Sequence, residues 1–288
     1  FRMRTALIFP PQWYPSQPYL ALPTLTAYLE AQGHEVDQFD FNVECYDRFL
    51  SSNYLKRCVD KIHTRLTKPV KTPEDREAEP IHRQILDDTK YLETILADIS
   101  DAKQVLRDEE RFFRFSEYKN AYTTLKVAMQ LISYTHYPSR IDLESFFMQG
   151  TPEESLQGIL AATQDFTRNP FLDLYQTDLI PEVNWTEYGL IGLSVIHVGQ
   201  VIPGLTLARL LKKRYPHLHI VIGGSVFARH QDILDDKKVL FEEMFHSIIL
   251  FEGEHPLDQL VQRLKEGSSL DTVPNLIYLN EGTIMRNG

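Results

Sequence analysis

The sequence contains no apolar run approaching the roughly 20 residues that span a bilayer as a helix, and only two cysteines in its 288 residues. Neither Cys45 nor Cys58 belongs to a C-x-x-C pair, which excludes a disulfide framework and a zinc ribbon and points to a reducing cytoplasm. Positive charge is also scarce: 30 Lys and Arg stand against 40 Asp and Glu, a formal net charge of −10. Neutralising phosphates takes clustered Lys and Arg, so neither a nucleic-acid surface nor a membrane association is expected. The opening FRMRTALIF has too short an apolar stretch, and no cleavage site, for a signal peptide. Phe1 and Arg2, ahead of Met3, read as vector-derived residues. No G-x-G-x-x-G follows the first strand and no P-loop occurs, so NAD, FAD and ATP bound in their usual ways are not expected. Gly/Ser-rich linkers, low-complexity tracts and internal repeats are absent too.

The chain does contain ample core material, 43% hydrophobic against 24% charged residues, and two alternating hydrophobic periods. TALIF (5–9) reads as a parallel strand buried on both faces. The Pro-rich loop PPQWYPSQPY (10–19) leads to a helix with Pro23 near its first turn and Gly33 as its stop, then to the strand HEVDQFDF (34–41). The same grammar returns at YGLIGLSV (188–195), followed by the loop IHVGQ, a helix, and the strand HIVIGG ending at Gly224. Short helices through DILDDKKVLFEEMF, the strand SIILF (247–251), a helix from Pro256 to Glu266 and a hairpin turning on NEG (280–282) complete the pattern. This predicts an α/β fold: a doubly wound, Rossmann-like parallel sheet with a large all-helical insertion between its second and third strands. Residues 1–43 and 188–288 would form the α/β unit and 44–187 the insert. Within the insert, helices are expected over 46–66, over 80–106 after Pro80, over 117–137 before Pro138, and from Pro152 and Glu153 onward.

Ligands of open parallel sheets bind beyond the carboxyl ends of the strands, near the point where strand order reverses. That rule selects the loops 10–19, 194–200, 223–230 and 252–256. Gly223 and Gly224 permit either a tight strand-to-helix turn or close approach of a ligand to bare backbone. His197, His230 and His255 lie in these loops, but their spacing does not demand convergence, and no dedicated metal site is expected. Glu252 and Glu254 fit an acid/base pair or a cap for the helix that follows. His217 and His219 precede a strand at the opposite end and read as structural.

Taken together, the loops resemble the N-terminal cobalamin (B12)-binding domain of B12-dependent radical S-adenosylmethionine enzymes. Ser194-Val195-Ile196 is similar to the S-x-L element of that family, with Ile in place of Leu, and Gly223-Gly224 to its G-G element. Phe251-Glu252-Gly253-Glu254 resembles the turn after its last core strand, and VPNLIYLNEGTIMRNG the hairpin (275–288) that joins the domain to a barrel. The first βαβ unit is similar as well. In the insert the likeness is confined to the surroundings of RNPF (168–171). The resemblance implies that the corrin lies on the carboxyl edge while the nucleotide tail enters a slot beside the sheet. Gly223 and Gly224 would leave that slot open, and Ser194 would offer its hydroxyl. Gln12, Trp13, Tyr14, Ile196, His197, Ser225, Glu252, Gly253 and Glu254 would complete the cofactor contacts, with Trp13 or Tyr14 under the corrin's lower face.

Two departures from the family pattern shape the expectation. The D-x-H-x-x-G motif that supplies a lower axial histidine is absent from 10–19, so cobalamin is expected base-off. The C-x-x-x-C-x-x-C motif is missing, so S-adenosylmethionine and a 4Fe-4S cluster would belong to a barrel domain of the full-length protein. The chain would then be an isolated or truncated domain without turnover of its own. Its whole enzyme would methylate or otherwise modify an unactivated carbon of a small-molecule or peptide substrate. Two other readings remain open at this point. One is a B12-type fold that has lost its cofactor and recruits substrate. The other is a free-standing α/β transferase, favoured if His197, His230 and Glu252 converge.

Overall fold

The structure, a computed structural model, describes residues 3–70, 72–149, 155–234 and 237–288. The α/β unit opens with β1 (Arg4–Phe9), α1 (Ala21–Ala31) and β2 (Glu35–Asp40). The intervening segment carries α2 (Phe41–Phe49), α3 (Ser52–Leu66), α4 (Pro73–Asp87), α5 (Thr89–Arg107) and α6 (Phe115–Thr135). It continues through the two-residue strands β3 (Arg140–Ile141) and β4 (Phe146–Phe147), then α7 (Leu156–Ala162) and α8 (Pro170–Leu174). The sheet resumes with β5 (Tyr188–Ser194), α9 (Val201–Arg214), β6 (His219–Gly223), α10 (Ser225–Arg229), α11 (Lys238–Glu243) and β7 (Ser247–Ile249). It closes with α12 (Glu254–Glu266), β8 (Leu276–Asn280) and β9 (Thr283–Arg286).

The strands form one seven-stranded sheet in the order β2-β1-β5-β6-β7-β8-β9. The first five are parallel, and β8 and β9 are antiparallel. Strand order reverses between β1 and β5, since α1 leads left to β2 while α9 leads right to β6. This is the expected doubly wound α/β architecture, but the insert is not all-helical as expected, because β3 and β4 pair antiparallel within it around the turn that Asp142 caps. The hairpin turn has positive φ at both Glu281 (45°) and Gly282 (79°), the geometry whose twist suits a two-residue connection.

Alternation along each strand builds two cores. Leu7, Phe9, Leu190, Val221 and Ile249 face α1 and α12 with Leu22, Leu29, Leu257, Leu260 and Val261. Ala6, Ile8, Ile191, Leu193, Ile220 and Ile222 face the other way, and their core runs without a break through α9 into the inserted helices. The described residues of α2 to α8 thus pack on one face of the sheet. Cys45 and Cys58 are buried there in α2 and α3, and burial pushes the Cys58 thiol up to about 12. At the amino edge His219 stacks on His246 at 5.1 Å and shares a hydrogen bond with Ser247, 2.8 Å away. Burial, with His246 and Lys212 nearby, lowers the His219 pKa to about 3, which fits a structural role.

Several helix boundaries differ from the sequence expectation, for local reasons. The stretch 46–66 is two helices, because Ser51 caps a new one by accepting the Tyr54 N–H. The helix expected after Pro80 begins at Pro73 instead. Thr72 and Asp75 form a reciprocal capping box that outweighs the single backbone donor lost at Pro80 inside α4. A break at Asp88, which caps α5, separates 80–106 into two helices. The expected start at Pro152 and Glu153 lies outside the described residues, as do Phe1 and Arg2.

Asn169 pins the insert to the sheet layer. Fully buried, it accepts the Phe171 N–H at 3.1 Å to cap α8. Its amide donates to the Ala162 carbonyl at 3.0 Å and to the Thr206 hydroxyl of α9 at 2.9 Å. Replacing it with Ala removes a cap and two buried hydrogen bonds that join α7, α8 and α9. Asn169→Ala is therefore expected to cost about 2–4 kcal/mol in urea unfolding; a loss below about 1 kcal/mol would contradict the pinning role.

Candidate functional site at the carboxyl edge of the sheet

On the α1/α12 side of the sheet the two helices leave an open cavity of about 340 Å³ above the carboxyl halves of the strands. Its floor is Leu7, Gly192, Val221 and Ile249; its roof is Leu22, Leu25 and Leu257; its mouth is formed by Tyr19, Leu20, Phe251, Glu252, Gly253 and Glu254. The roof helices are tied together at the far end of α1. His34 Nδ1 accepts from Lys265 at 2.9 Å, so its Nε2 donates to the buried Asp258 carboxylate at 2.6 Å. Gln262 also donates to Asp258, at 2.8 Å.

The two consecutive glycines have different tasks. Gly224 has φ 111°, a conformation side chains rarely adopt, and a Cβ there would lie 2.2 Å from the Val195 carbonyl oxygen. Its bareness is required by the fold. Gly223 is ordinary: its φ is not positive, and a Cβ would meet nothing closer than the Ile249 oxygen at 3.9 Å. The fold does not need a glycine at 223, yet the residue lines the cavity. Gly192, which the sequence reading missed, is a further bare floor position where a Cβ would meet only the end of the Leu7 side chain, at 2.8 Å.

Ser194 lines the same cavity, nearly buried at 9% exposure, and its hydroxyl has no hydrogen-bond partner among the described residues. An unpaired hydroxyl in an apolar cavity is costly unless a ligand or water satisfies it. Beyond the mouth the edge exposes large apolar side chains: Leu20 at 73%, Phe251 at 64% and Val198 at 56%. Phe251 also holds a positive φ of 60°, the kind of backbone strain that gathers at binding sites.

Other expected site residues are placed differently. Gln12 is buried away from the cavity and donates from its amide to the Tyr46 hydroxyl and the Asp142 carbonyl, so it serves the loop rather than a ligand. Ser225 donates to the Ile196 carbonyl at 3.0 Å and thereby ties the loops after β5 and β6. Ile196 packs into the α1/α12 core. His197 is exposed and caps its own turn, accepting the Gly199 N–H at 3.1 Å. Trp13 sits between His197 and Tyr14, edge-on to both at 5.8 Å, so an aromatic cluster stands at the point of strand reversal. Glu252, Gly253 and Glu254 line the cavity mouth. His230 lines a separate cavity beside α9 and α11, so His197, His230 and Glu252 do not converge. Among the described residues no group of three His, Cys, Asp or Glu could hold a metal ion, and no helix is long and apolar enough to cross a membrane.

Gln200 was also missed. Fully buried, it accepts the Ile196 and His197 N–H groups at 2.9 and 3.1 Å and donates to the Pro10 carbonyl at 2.6 Å. It thus braces the β1 and β5 loops across the switch point. The spacing His197-x-x-Gln200 is the signal that could have found it, because it is that of a capping box.

No protein-family profile matches the chain, and no curated protein matches it. Among solved structures it is similar to the radical S-adenosylmethionine methyltransferase TsrM from Kitasatospora setae, described with cobalamin and a 4Fe-4S cluster bound. That match has TM-score 0.40 and 14% identity, over 99% of this chain. A structure of TsrM with tryptophan substrate and an S-adenosylmethionine analogue gives TM-score 0.38 and 12% identity, again over 99% of this chain. The chain spans only 29–30% of the length of those chains. Likenesses of this size carry no argument about function, which rests on the residues themselves.

The different tasks of the glycines can be measured. Gly224→Ala is expected to destabilise the protein by about 2 kcal/mol or more, and Gly223→Ala to stay within about 0.5 kcal/mol of the parent. Equal losses in thermal or urea unfolding would show that both glycines are structural.

Proposed function

We propose that this chain is the cobalamin-binding module of a radical S-adenosylmethionine enzyme. The observation that carries this reading is the cavity beside the sheet, kept open at Gly223 where the fold itself would tolerate a side chain. A volume of about 340 Å³ lies at the small end of the range for sites that enclose organic ligands. It fits part of a large cofactor whose remainder rests outside. The nucleotide tail would enter between α1, α12 and the sheet, past Gly192 and Gly223, with the Ser194 hydroxyl as its polar contact. The corrin would rest on the carboxyl edge, where Leu20, Val198 and Phe251 are exposed, with Trp13 and Tyr14 beside it.

When bound, cobalamin supplies a carrier for a methyl group. The chain's own residues exclude water from the tail, hold the edge loops through Gln200 and Ser225, and present the apolar platform. The cofactor would be held base-off because its tail is taken up in the cavity, and with no histidine in 10–19 that loop would supply no replacement ligand. Residues 1–43 and 188–288 form the binding unit and 44–187 the insert. S-adenosylmethionine, the iron–sulfur cluster and the substrate belong with a barrel domain of the longer, cytoplasmic protein. The open cavity speaks against a fold that has lost its cofactor, and the separation of His230 from Glu252 speaks against a free-standing transferase.

Titration with hydroxocobalamin followed by gel filtration tests the reading. The protein is expected to retain one equivalent with a base-off visible spectrum, and Gly223→Leu to lose it while keeping its circular dichroism. No retention by the folded parent, or undiminished retention by Gly223→Leu, would overturn the proposal.

A further inference from the structure

A second cavity, of about 630 Å³, lies between the β1–α1 loop and the inserted helices. The loop partitions the two cavities: Tyr14, Pro15 and Ser16 line this one, and Tyr19 and Leu20 the other. Its walls are rich in aromatic side chains, and none of the described residues fills it. Tyr118 and Tyr122 lie one turn apart on α6 with rings 13° from parallel, centroids 6.0 Å apart. Phe112 meets Tyr118 edge-on at 5.4 Å yet remains 41% exposed, and Tyr14 is 38% exposed. The hydroxyls of Tyr118 and Tyr122 have no hydrogen-bond partner among the described residues. Tyr46, by contrast, is spent on structure: burial pushes its pKa up, and its hydroxyl donates to the Leu143 carbonyl at 2.7 Å.

The charged residues of the cavity wall, Asp47 and Glu144 against Lys103 and Arg107, sum to zero but are paired unevenly. Asp47 accepts from Lys103 at 2.8 Å and from Arg107 at 2.9 Å. Burial pushes its carboxyl up, but those two cations outweigh burial and hold it below the usual range. Asp47 is thus fully engaged, by Lys103, Arg107 and, at 3.4 Å, Arg48. Glu144, on the β3–β4 turn, is the remaining charged lining residue, and its carboxylate has no ion pair or hydrogen bond among the described residues. Aromatic faces together with one unbridged carboxylate are the chemistry that attracts an organic cation, through the ring quadrupole and through charge.

We infer that this cleft is a second binding site, specific for an aromatic compound bearing an ammonium group. The ring stacks against Tyr118 and Tyr122, and the ammonium meets Glu144. The inference uses none of the residues that line the first cavity; it shares only Tyr14 with the cobalamin reading, and its test rests on Tyr118 and Glu144 instead.

Three probes of one shape and different charge test it by calorimetric titration of the whole chain: tyramine, 4-ethylphenol and 3-(4-hydroxyphenyl)propionate. Tyramine is expected to bind tightest and the propionate weakest. Glu144→Gln should weaken tyramine about fivefold and leave 4-ethylphenol unchanged, whereas Tyr118→Ala should weaken both. Glu144 and Tyr118 are both solvent-accessible, so neither change removes core packing. Equal affinity for the three probes, absence of tyramine binding, or tyramine binding at parental affinity in both variants would overturn the inference.

Discussion

The carboxyl edge depends on one close approach, that of Gly224 to the backbone of Val195. A side chain at 224 would occupy the position of the Val195 carbonyl, so the loops after β5 and β6 can meet only through bare backbone. Once they meet, Val195 N–H reaches the Gly223 carbonyl at 2.8 Å and Ser225 reaches Ile196. Gln200 then joins this pair to the β1 loop at Pro10. Each bond fixes a loop that would otherwise be free at the end of a buried strand. The loops after β1, β5 and β6 are consequently held by one backbone bond and by the side chains of Ser225 and Gln200.

This division explains what could be read from the sequence and what could not. Buried parallel strands and a strand-reversal crevice follow from period and order, so the α/β architecture was legible from TALIF, YGLIGLSV and HIVIGG. The two glycines were legible as a pair but not as individuals, because conformation separates them: Gly224 occupies a region closed to side chains, while Gly223 does not. Gly192 was invisible for a related reason. A lone glycine in a strand has no motif, and only the fold shows that it faces the cavity. Gln12 failed in the opposite way, since it stands in the right loop but its amide is consumed by Tyr46 and Asp142. Position in a loop predicts proximity to a site, whereas orientation is decided by hydrogen-bond demand.

The insert fits the same logic. Its helices are continuous with the core on one face of the sheet; on the other face α1 and α12 pack among the described residues, and the first cavity lies between them and the strands. The β1–α1 loop is the shared wall between that space and the aromatic cleft above the insert.

The central claim is that the cavity at Gly223 takes the nucleotide tail of cobalamin, and comparison with cobinamide, which lacks that tail, tests it most directly. Because base-off binding also costs hydroxocobalamin its cobalt–base bond, the comparison is made on the parent and on Gly223→Leu: the variant is expected to weaken hydroxocobalamin by at least about tenfold and to leave cobinamide unchanged. Equal weakening of the two corrinoids, or of neither, would contradict the account, because the cavity would then not be where the tail binds.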